Sequence, residues 1–170
     1  APNLAAAFDI RSLAYLGLGQ DNQALVDSSR AIAADPGYAV AYSNRAYINT
    51  GLGKYGQAVV DATRAIEIDP DLASAYANRA EAAFLAGNHE GAIADSTAAL
   101  AIDSNLILTL VGRAMAYLAT GSYPEALDDA RLALSMNPAQ LEALLVRGMA
   151  LLASTDGRQG REDLDRIIQS

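Results

Sequence analysis

The 170-residue sequence contains neither cysteine nor tryptophan, and it has one lysine (Lys54) and one histidine (His89). Without cysteine the chain has no disulfide, no thiol nucleophile and no cysteine ligand for a metal. A single histidine would leave a metal site built almost entirely of carboxylates, so we expect no metal and no other cofactor. The lack of cysteine does not report the redox compartment, and localisation stays open between cytoplasm and periplasm.

Positive charge is also scarce, with 12 basic against 20 acidic side chains and a formal net charge of −8. Eleven arginines are scattered along the chain and form no basic stripe, which argues against nucleic acid and anionic membrane surfaces as partners. No apolar run approaches the length of about 18 residues that suggests membrane insertion. With 52% hydrophobic and 19% charged residues, the composition is that of a folded, soluble domain.

The chain begins at Ala1 rather than at a methionine, and no charged segment followed by an apolar segment opens it. This start indicates a processed form or an excised segment of a longer protein.

What the sequence does contain is an internal repeat. The dipeptides Asp35-Pro36, Asp69-Pro70 and Asn137-Pro138 are spaced by 34 residues or twice that, and Asp103-Ser104 stands in the fourth place. Setting this proline at repeat position 32 divides the chain into residues 5–38, 39–72, 73–106, 107–140 and 141–170. We therefore expect residues 1–170 to form a single repeat array.

Each repeat has the pattern of a helical hairpin. Positions 8 and 20 hold small residues, while positions 27 and 28 form an apolar seam at helical spacing. Position 15 is glycine in the first four repeats, which fits a left-handed residue at the end of a first helix. The proline at position 32 cannot continue a helix and ends the second one. The pattern predicts ten antiparallel helices and no strand.

Together, the 34-residue period, the small positions, the glycine and the proline resemble the tetratricopeptide repeat family. The runs 41–46 and 75–80, Ala-Tyr-Ser-Asn-Arg-Ala and Ala-Tyr-Ala-Asn-Arg-Ala, look like the first-helix signature of its Asn-Arg-Ala subgroup. The resemblance covers about residues 4–170, with Phe, Tyr or Leu where the family has tryptophan, and Ser104 in place of proline. It implies an all-α fold, a right-handed superhelical solenoid of helix-turn-helix repeats.

A charged ladder recurs in all five repeats, with arginine at position 7 and aspartate at position 23: Arg11, Arg45, Arg79, Arg113 and Arg147 with Asp27, Asp61, Asp95, Asp129 and Asp163. One interpretation is a row of guanidinium groups for an acidic ligand. The other, which we favour, is an ion pair between helices that recurs because the hairpin recurs. The sequence leaves open whether each pair forms within one hairpin or with the preceding one. Partly exposed pairs contribute roughly 0 to 1 kcal/mol each.

The resemblance further implies that the first helices line a concave groove, with repeat positions 2, 5, 6, 9, 12 and 13 facing it. Repeats two and three offer a mainly polar wall, and repeats four and five an apolar one. The candidate peptide-binding residues are Ser43, Asn44, Tyr47, Asn78, Glu81, Leu108, Val111, Met115, Leu145 and Met149. We expect Leu118, Val146 and Leu152 to extend the apolar wall; the alternative for Leu118 and Leu152 is that they belong to the core between repeats.

Chaperone adaptors of this family hold a peptide carboxylate with lysines, asparagines and an arginine from three first helices. This chain has Asp9, Leu13, Asn44, Ser74 and Asn78 in those places. Only Asn44 matches, and Asp9 would repel an acidic peptide end, so this clamp is disfavoured.

No catalytic motif occurs. The sequence has no phosphate-binding glycine loop, no nucleophile elbow and no zinc-protease motif, and adjacent acids such as Asp128 and Asp129 point apart on a helix. His89 fits a surface aromatic position better than a general base. We predict a non-enzymatic scaffold that binds a protein or peptide in its groove. The alternative is a self-association or architectural module, in which a second copy or a neighbouring domain packs on the apolar groove of repeats four and five.

Overall fold

The computed structural model describes residues 2–154, 161 and 164, and all regular structure within them is α-helical. The elements are α1 (Pro2–Gly17), α2 (Asp21–Ala34), α3 (Ala39–Gly51), α4 (Tyr55–Ile68), α5 (Ala73–Leu85), α6 (His89–Ile102), α7 (Ile107–Ala119), α8 (Tyr123–Met136) and α9 (Leu141–Ala153). The predicted all-α helical repeat solenoid is confirmed. The tenth helix of the prediction falls on residues after Ala153 and lies outside the described residues, apart from residues 161 and 164.

The predicted register of the repeat is visible in the helix boundaries. Helices α3, α5, α7 and α9 begin at the first residues of repeats two to five, Ala39, Ala73, Ile107 and Leu141. These are the first helices of their repeats, and α2, α4, α6 and α8 are the second helices. None of the helices described here has the length and apolar character needed to cross a membrane.

The helices pack as two compact units, unit 1 from Ala1 to Gly87 and unit 2 from Asn88 to Ser170. In unit 1, α1 packs against α2, α3 against α4, and α4 against α5, and the first helices α1, α3 and α5 contact one another in order. In unit 2, α7 packs against α6 and α8, α8 packs against α9, and the first helices α7 and α9 contact each other. Each unit is therefore built of stacked hairpins.

Glycine at repeat position 15 ends the first helix, as predicted. Gly19, Gly53, Gly87 and Gly121 all have positive φ, between 68° and 83°. After Gly53, the N–H of Lys54 donates to the carbonyl of Asn49 at 2.8 Å, which closes the helix end with a Schellman-type bond. A side chain at this φ would be strained, so the repeat keeps glycine there.

The turn between repeats depends on the residue before the proline. Asp35, Asp69, Asp103 and Asn137 each accept a hydrogen bond from the N–H two residues further on, at 2.9 to 3.1 Å. This local bond holds the turn without help from proline. It explains why the turn at Asp103 keeps the same form although Ser104 replaces proline.

Small residues let the two helices of a hairpin approach closely. Ala46 of α3 and Ala58 of α4 are fully buried and belong to one cluster with Ala62 and Ala82. In unit 2, Ala114 and Ala126 occupy the equivalent positions, 8 and 20, of another cluster. Most of the buried apolar side chains are alanines, so the helices pack backbone close to backbone.

The arginine–aspartate ladder joins the two helices of one hairpin. Arg45 donates to Asp61 through Nε at 2.9 Å and Nη2 at 2.6 Å, and Arg113 donates to Asp129 through the same two nitrogens at 2.8 Å. Arg11 pairs with Asp27 in the same way. In these three pairs the arginine and the aspartate therefore belong to the same hairpin, which the sequence alone did not decide. Asp163 lies outside the described residues.

The same arginines also reach back to the preceding hairpin. Nη1 of Arg45 lies 3.3 Å from Ser29 Oγ, and Nη1 of Arg79 and of Arg113 lies 3.1 and 3.0 Å from the hydroxyls of Thr63 and Thr97. The acceptors occupy repeat position 25, which the sequence analysis had not singled out. Each of these guanidinium groups therefore also ties its repeat to the one before it. This supports the structural interpretation of the ladder.

One of these pairs gives a prediction on pH. Hydrogen bonds from Arg11 and then from Arg30 lower the pKa of the buried Asp27 below its usual range. The folded protein therefore binds fewer protons than the unfolded chain just below the ordinary aspartate pKa of about 3.9. The stability that Asp27 contributes is present above about pH 4 and is lost as pH falls through its folded pKa.

We expect Asp27→Asn to flatten the loss of stability between about pH 5 and pH 2, as measured by urea unfolding at a series of pH values. Asp71→Asn, which removes an equal charge from an exposed turn, is the control and should keep the wild-type pH dependence. Equal pH dependence in both variants would contradict a special contribution from Asp27.

Candidate binding surface

The most regular exposed feature of the first helices is repeat position 9. Position 8 faces the second helix and is buried, and the next residue along the helix points about 100° away. Leu13, Tyr47 and Glu81 occupy position 9 of α1, α3 and α5 and are all exposed. We call these three side chains the unit 1 row. It offers an aliphatic, an aromatic and an acidic group in order.

Beside this row, polar side chains connect neighbouring first helices. The amide Nδ2 of Asn78 donates to the carbonyl of Ser43 at 2.9 Å and lies 3.0 Å from its hydroxyl. The Ser43 hydroxyl is also 3.2 Å from that of Ser74. Ser43 is fully buried, so this candidate site residue lies between α3 and α5 rather than on an exposed surface. Asn78 remains half-buried.

Asn44 makes the corresponding contact to α1. Its Nδ2 donates to Asp9 Oδ1 at 2.9 Å. Burial, and then the charge of Asp9, raise the pKa of Tyr38. Asp9 is itself buried, and among the described residues no lysine or arginine pairs with it. Its hydrogen-bond partner among the described residues is therefore a neutral amide, that of Asn44.

Glu81, at the other end of the unit 1 row, is the acidic residue of the wall. Partial burial raises the pKa of its carboxyl. Within the described residues it has neither a hydrogen bond nor a salt bridge, whereas Arg11, Arg45 and Arg64 pair with Asp27, Asp61 and Glu67. Among the described residues the Glu81 carboxylate therefore has no cationic partner.

In unit 2 the exposed side chains of the first helices are apolar. Leu108 and Met115 of α7 and Met149 and Leu152 of α9 are exposed, with Leu108 at 74%. We call these four the unit 2 strip. Leu118 is half-buried against the cluster of Ala114 and Ala126 and belongs partly to the core.

For three further candidates, the neighbouring helices determine whether the side chain is buried or exposed. Val111 and Val146 are buried, because Val111 packs into the core formed by α7, α8 and α9, and Val146 packs into a second cluster of the same unit. Leu145 is exposed. It occupies position 5, which faces the following first helix in other repeats, and no first helix follows α9 among the residues described.

The structure therefore brings the candidates together in two groups, one in each unit. Ser43, Asn44, Tyr47, Asn78 and Glu81 lie on α3 and α5. Leu108, Val111, Met115, Leu145 and Met149 lie on α7 and α9. Sequence reasoning missed Leu13 as a wall residue, although extending position 9 to the first repeat would have found it.

The remaining chemical candidate, His89, is half-buried rather than on the surface. His89 is the first residue of α6, and the Asn88 side chain before it caps this helix by accepting from the N–H of Gly91 at 3.0 Å. Among the described residues, no group of three or more histidines, aspartates and glutamates is arranged to hold a metal ion.

Comparison with known proteins identifies the repeat. Residues 39–72 match the tetratricopeptide repeat family. The fold is similar to that of pilF from Pseudomonas aeruginosa, with 19% identity, 98% of this chain and 76% of the other covered, and a TM-score of 0.86. No curated protein sequence matches the chain.

Two structures described as tetratricopeptide repeat proteins are also similar. YrrB, described as having an unusual peptide-binding site, is 15% identical over 95% of this chain and 84% of its own, with a TM-score of 0.76. The first repeat domain of Spaghetti (RPAP3), solved with an HSP90 peptide, is 22% identical over 71% and 96%, with a TM-score of 0.68. At these identities the likeness establishes a shared fold.

Proposed function

Given that the chain is built of tetratricopeptide repeats, we propose that it is a non-enzymatic interaction scaffold that binds a peptide or helix of another protein along its first helices. The exposed apolar side chains of the unit 2 strip are the observation that carries this proposal. Soluble proteins seldom expose several large apolar side chains side by side without a partner to cover them. The peptide-binding site described for YrrB and the HSP90 peptide bound to RPAP3, two proteins of similar fold, support the same interpretation.

The unit 2 strip suits an amphipathic helix. Leu108 and Met115 are seven residues apart on α7 and therefore lie on one side of it, and Met149 and Leu152 are three residues apart and lie on one side of α9. An apolar helix face can lie along such side chains with anchors at i, i+3, i+4 and i+7. The flexible methionines would allow the strip to accept more than one sequence.

We expect Met115→Glu with Met149→Glu to weaken partner binding by at least about tenfold without loss of helicity, because a charge buried against an apolar partner is costly. Peptides selected from a displayed random library against the wild-type chain serve as probes, with affinity measured by calorimetry and helicity by circular dichroism. The matched control is Leu132→Glu with Met136→Glu, which adds the same charges to exposed apolar positions of α8, a second helix.

Two results would contradict this assignment. Unfolding of the α7/α9 variant would place both methionines in the core, and equal weakening in the control variant would mean that the probes bind elsewhere. The self-association alternative is favoured by the same exposed strip. It predicts that light scattering of the wild type shows a mass rising with concentration, and that the α7/α9 variant abolishes this rise.

A further inference from the structure

The unit 1 row presents a different chemistry from the unit 2 strip. Leu13 and Tyr47 are 44% and 48% exposed and provide an aliphatic and an aromatic contact. Glu81, at the same repeat position on α5, provides a carboxylate. Since α1, α3 and α5 contact one another in order, these three side chains follow one another across the first helices.

Negative charge on this side of unit 1 has no local counterpart. The groove positions of α1, α3 and α5 contain Asp9 and Glu81 but no lysine or arginine. The arginines of these helices stand at position 7 instead, where Arg11 and Arg45 bind Asp27 and Asp61 of the second helices. The arginines of α1 and α3 are thus held against the second helices rather than at the groove positions.

Neither carboxylate pairs with a lysine or arginine of the described residues, so a basic ligand could provide the missing positive charge. Asp9 is buried with the neutral amide of Asn44 as its hydrogen-bond partner, so its charge is not compensated by a basic side chain among the described residues. Glu81 is partly desolvated and unpaired within the same residues. A ligand cation at Glu81 would gain a charge-assisted hydrogen bond and would approach an aromatic ring at Tyr47.

We propose that the unit 1 row binds a basic peptide segment, with an aliphatic residue against Leu13 and Tyr47 and a lysine or arginine on Glu81. This proposal rests on the proposed function, and it specifies in addition that the bound segment is positively charged. Packed helices lie about 10 Å apart, and an extended peptide advances about 3.3 Å per residue. An aliphatic residue between Leu13 and Tyr47 lies about 15 Å from Glu81, so the aliphatic and the basic residue of the partner should be about four to five residues apart if the segment is extended.

The test is a selection of random twelve-residue peptides on three full chains: wild type, Glu81→Lys and Glu67→Gln. Wild type should enrich peptides that carry a lysine or arginine about four to five residues from an apolar residue. Glu81→Lys should bind these peptides at least about tenfold more weakly, because like charges meet, and should select acidic peptides instead. Glu67→Gln removes an exposed acid from α4, a second helix, and should select the wild-type set.

The outcomes separate this inference from the proposed function. Peptides that bind the wild type without enrichment of basic residues, or that bind Glu81→Lys equally well, would overturn the inference and leave the scaffold function standing. An equal loss of binding in Glu67→Gln would overturn it as well, because the charge effect would then be general. Failure of all three chains to select any peptide would contradict both proposals.

Discussion

Arg45→Leu is expected to reduce the free energy of unfolding of unit 1 by about 3 kcal/mol. Asp61 is buried, with 9% of its side chain exposed, and receives two hydrogen bonds from Arg45 and one from Asn49 at 3.1 Å. Removing the guanidinium leaves a buried carboxylate with a neutral amide as its remaining partner. Its desolvation is then no longer offset, and this is the costly way to break an ion pair.

An exposed ion pair of the same repeat is the control. Arg64 and Glu67 of α4 are more than half exposed and lie 2.9 Å apart. Arg64→Leu should cost no more than about 0.5 kcal/mol, because water replaces the lost partner. Both variants are to be compared by chemical denaturation, with hydrogen exchange to locate the loss in unit 1. Equal costs would mean that the ladder behaves as a surface ion pair.

Replacing Arg45, Asp61 and Asn49 together by apolar residues should recover much of the free energy of unfolding that Arg45→Leu loses. In Arg45→Met with Asp61→Leu and Asn49→Leu, no unpaired charge remains, and buried ion groups replaced by apolar side chains of similar volume are often neutral or better. A recovery of this kind would show that the ladder fixes helix register rather than supplying net stability. If the triple variant is as unstable as Arg45→Leu, the ion pair itself is stabilising.

The burial of the aspartates raises the free energy that breaking an arginine–aspartate pair should cost above the value expected from the sequence. We expected about 0 to 1 kcal/mol for each pair because both partners were taken as partly exposed. In the structure Asp27, Asp61 and Asp129 are all buried, while their arginines reach them from a more exposed position. The residue pattern shows that two charges recur together, but it contains no information on how deeply each is placed.

The fold was predictable because residues within each repeat mark the ends of its two helices. A glycine at position 15 and an Asp-Pro at positions 31 and 32 end the two helices, and their period of 34 fixes the register of α3, α5, α7 and α9. The exception at Ser104 was predictable in hindsight, since Asp103 makes the same side-chain bond to the turn as its counterparts. Periodic local signals of this kind need no knowledge of long-range contacts.

Exposure along the first helices was harder to predict, because it depends on neighbouring repeats. Position 5 faces the following first helix, so Ser43 and Val111 are buried, whereas Leu145 on α9 is exposed. Position 6 faces the preceding one, so Val146 is buried while Ile10 on α1 is 69% exposed. The same repeat position therefore changes from core to surface at the end of a stack, and helical periodicity alone does not distinguish the two.

Ala58→Leu should destabilise unit 1 by about 1 to 3 kcal/mol. Ala58 of α4 is fully buried against Ala46 and Ala62, and the close approach of α3 and α4 depends on these small side chains. A leucine there must separate the helices, which would also strain the bonds between Arg45 and Asp61. The measurement is urea unfolding followed by circular dichroism.

Val60→Leu is the matched control for this substitution, since Val60 lies two residues further along α4 and is 68% exposed. It should change the free energy of unfolding by less than about 0.5 kcal/mol. The comparison separates packing from helix propensity, because leucine is a good helix former at both positions. A neutral Ala58→Leu would mean that the hairpin interface has room for three more carbon atoms, and the small-residue positions would then have no packing role.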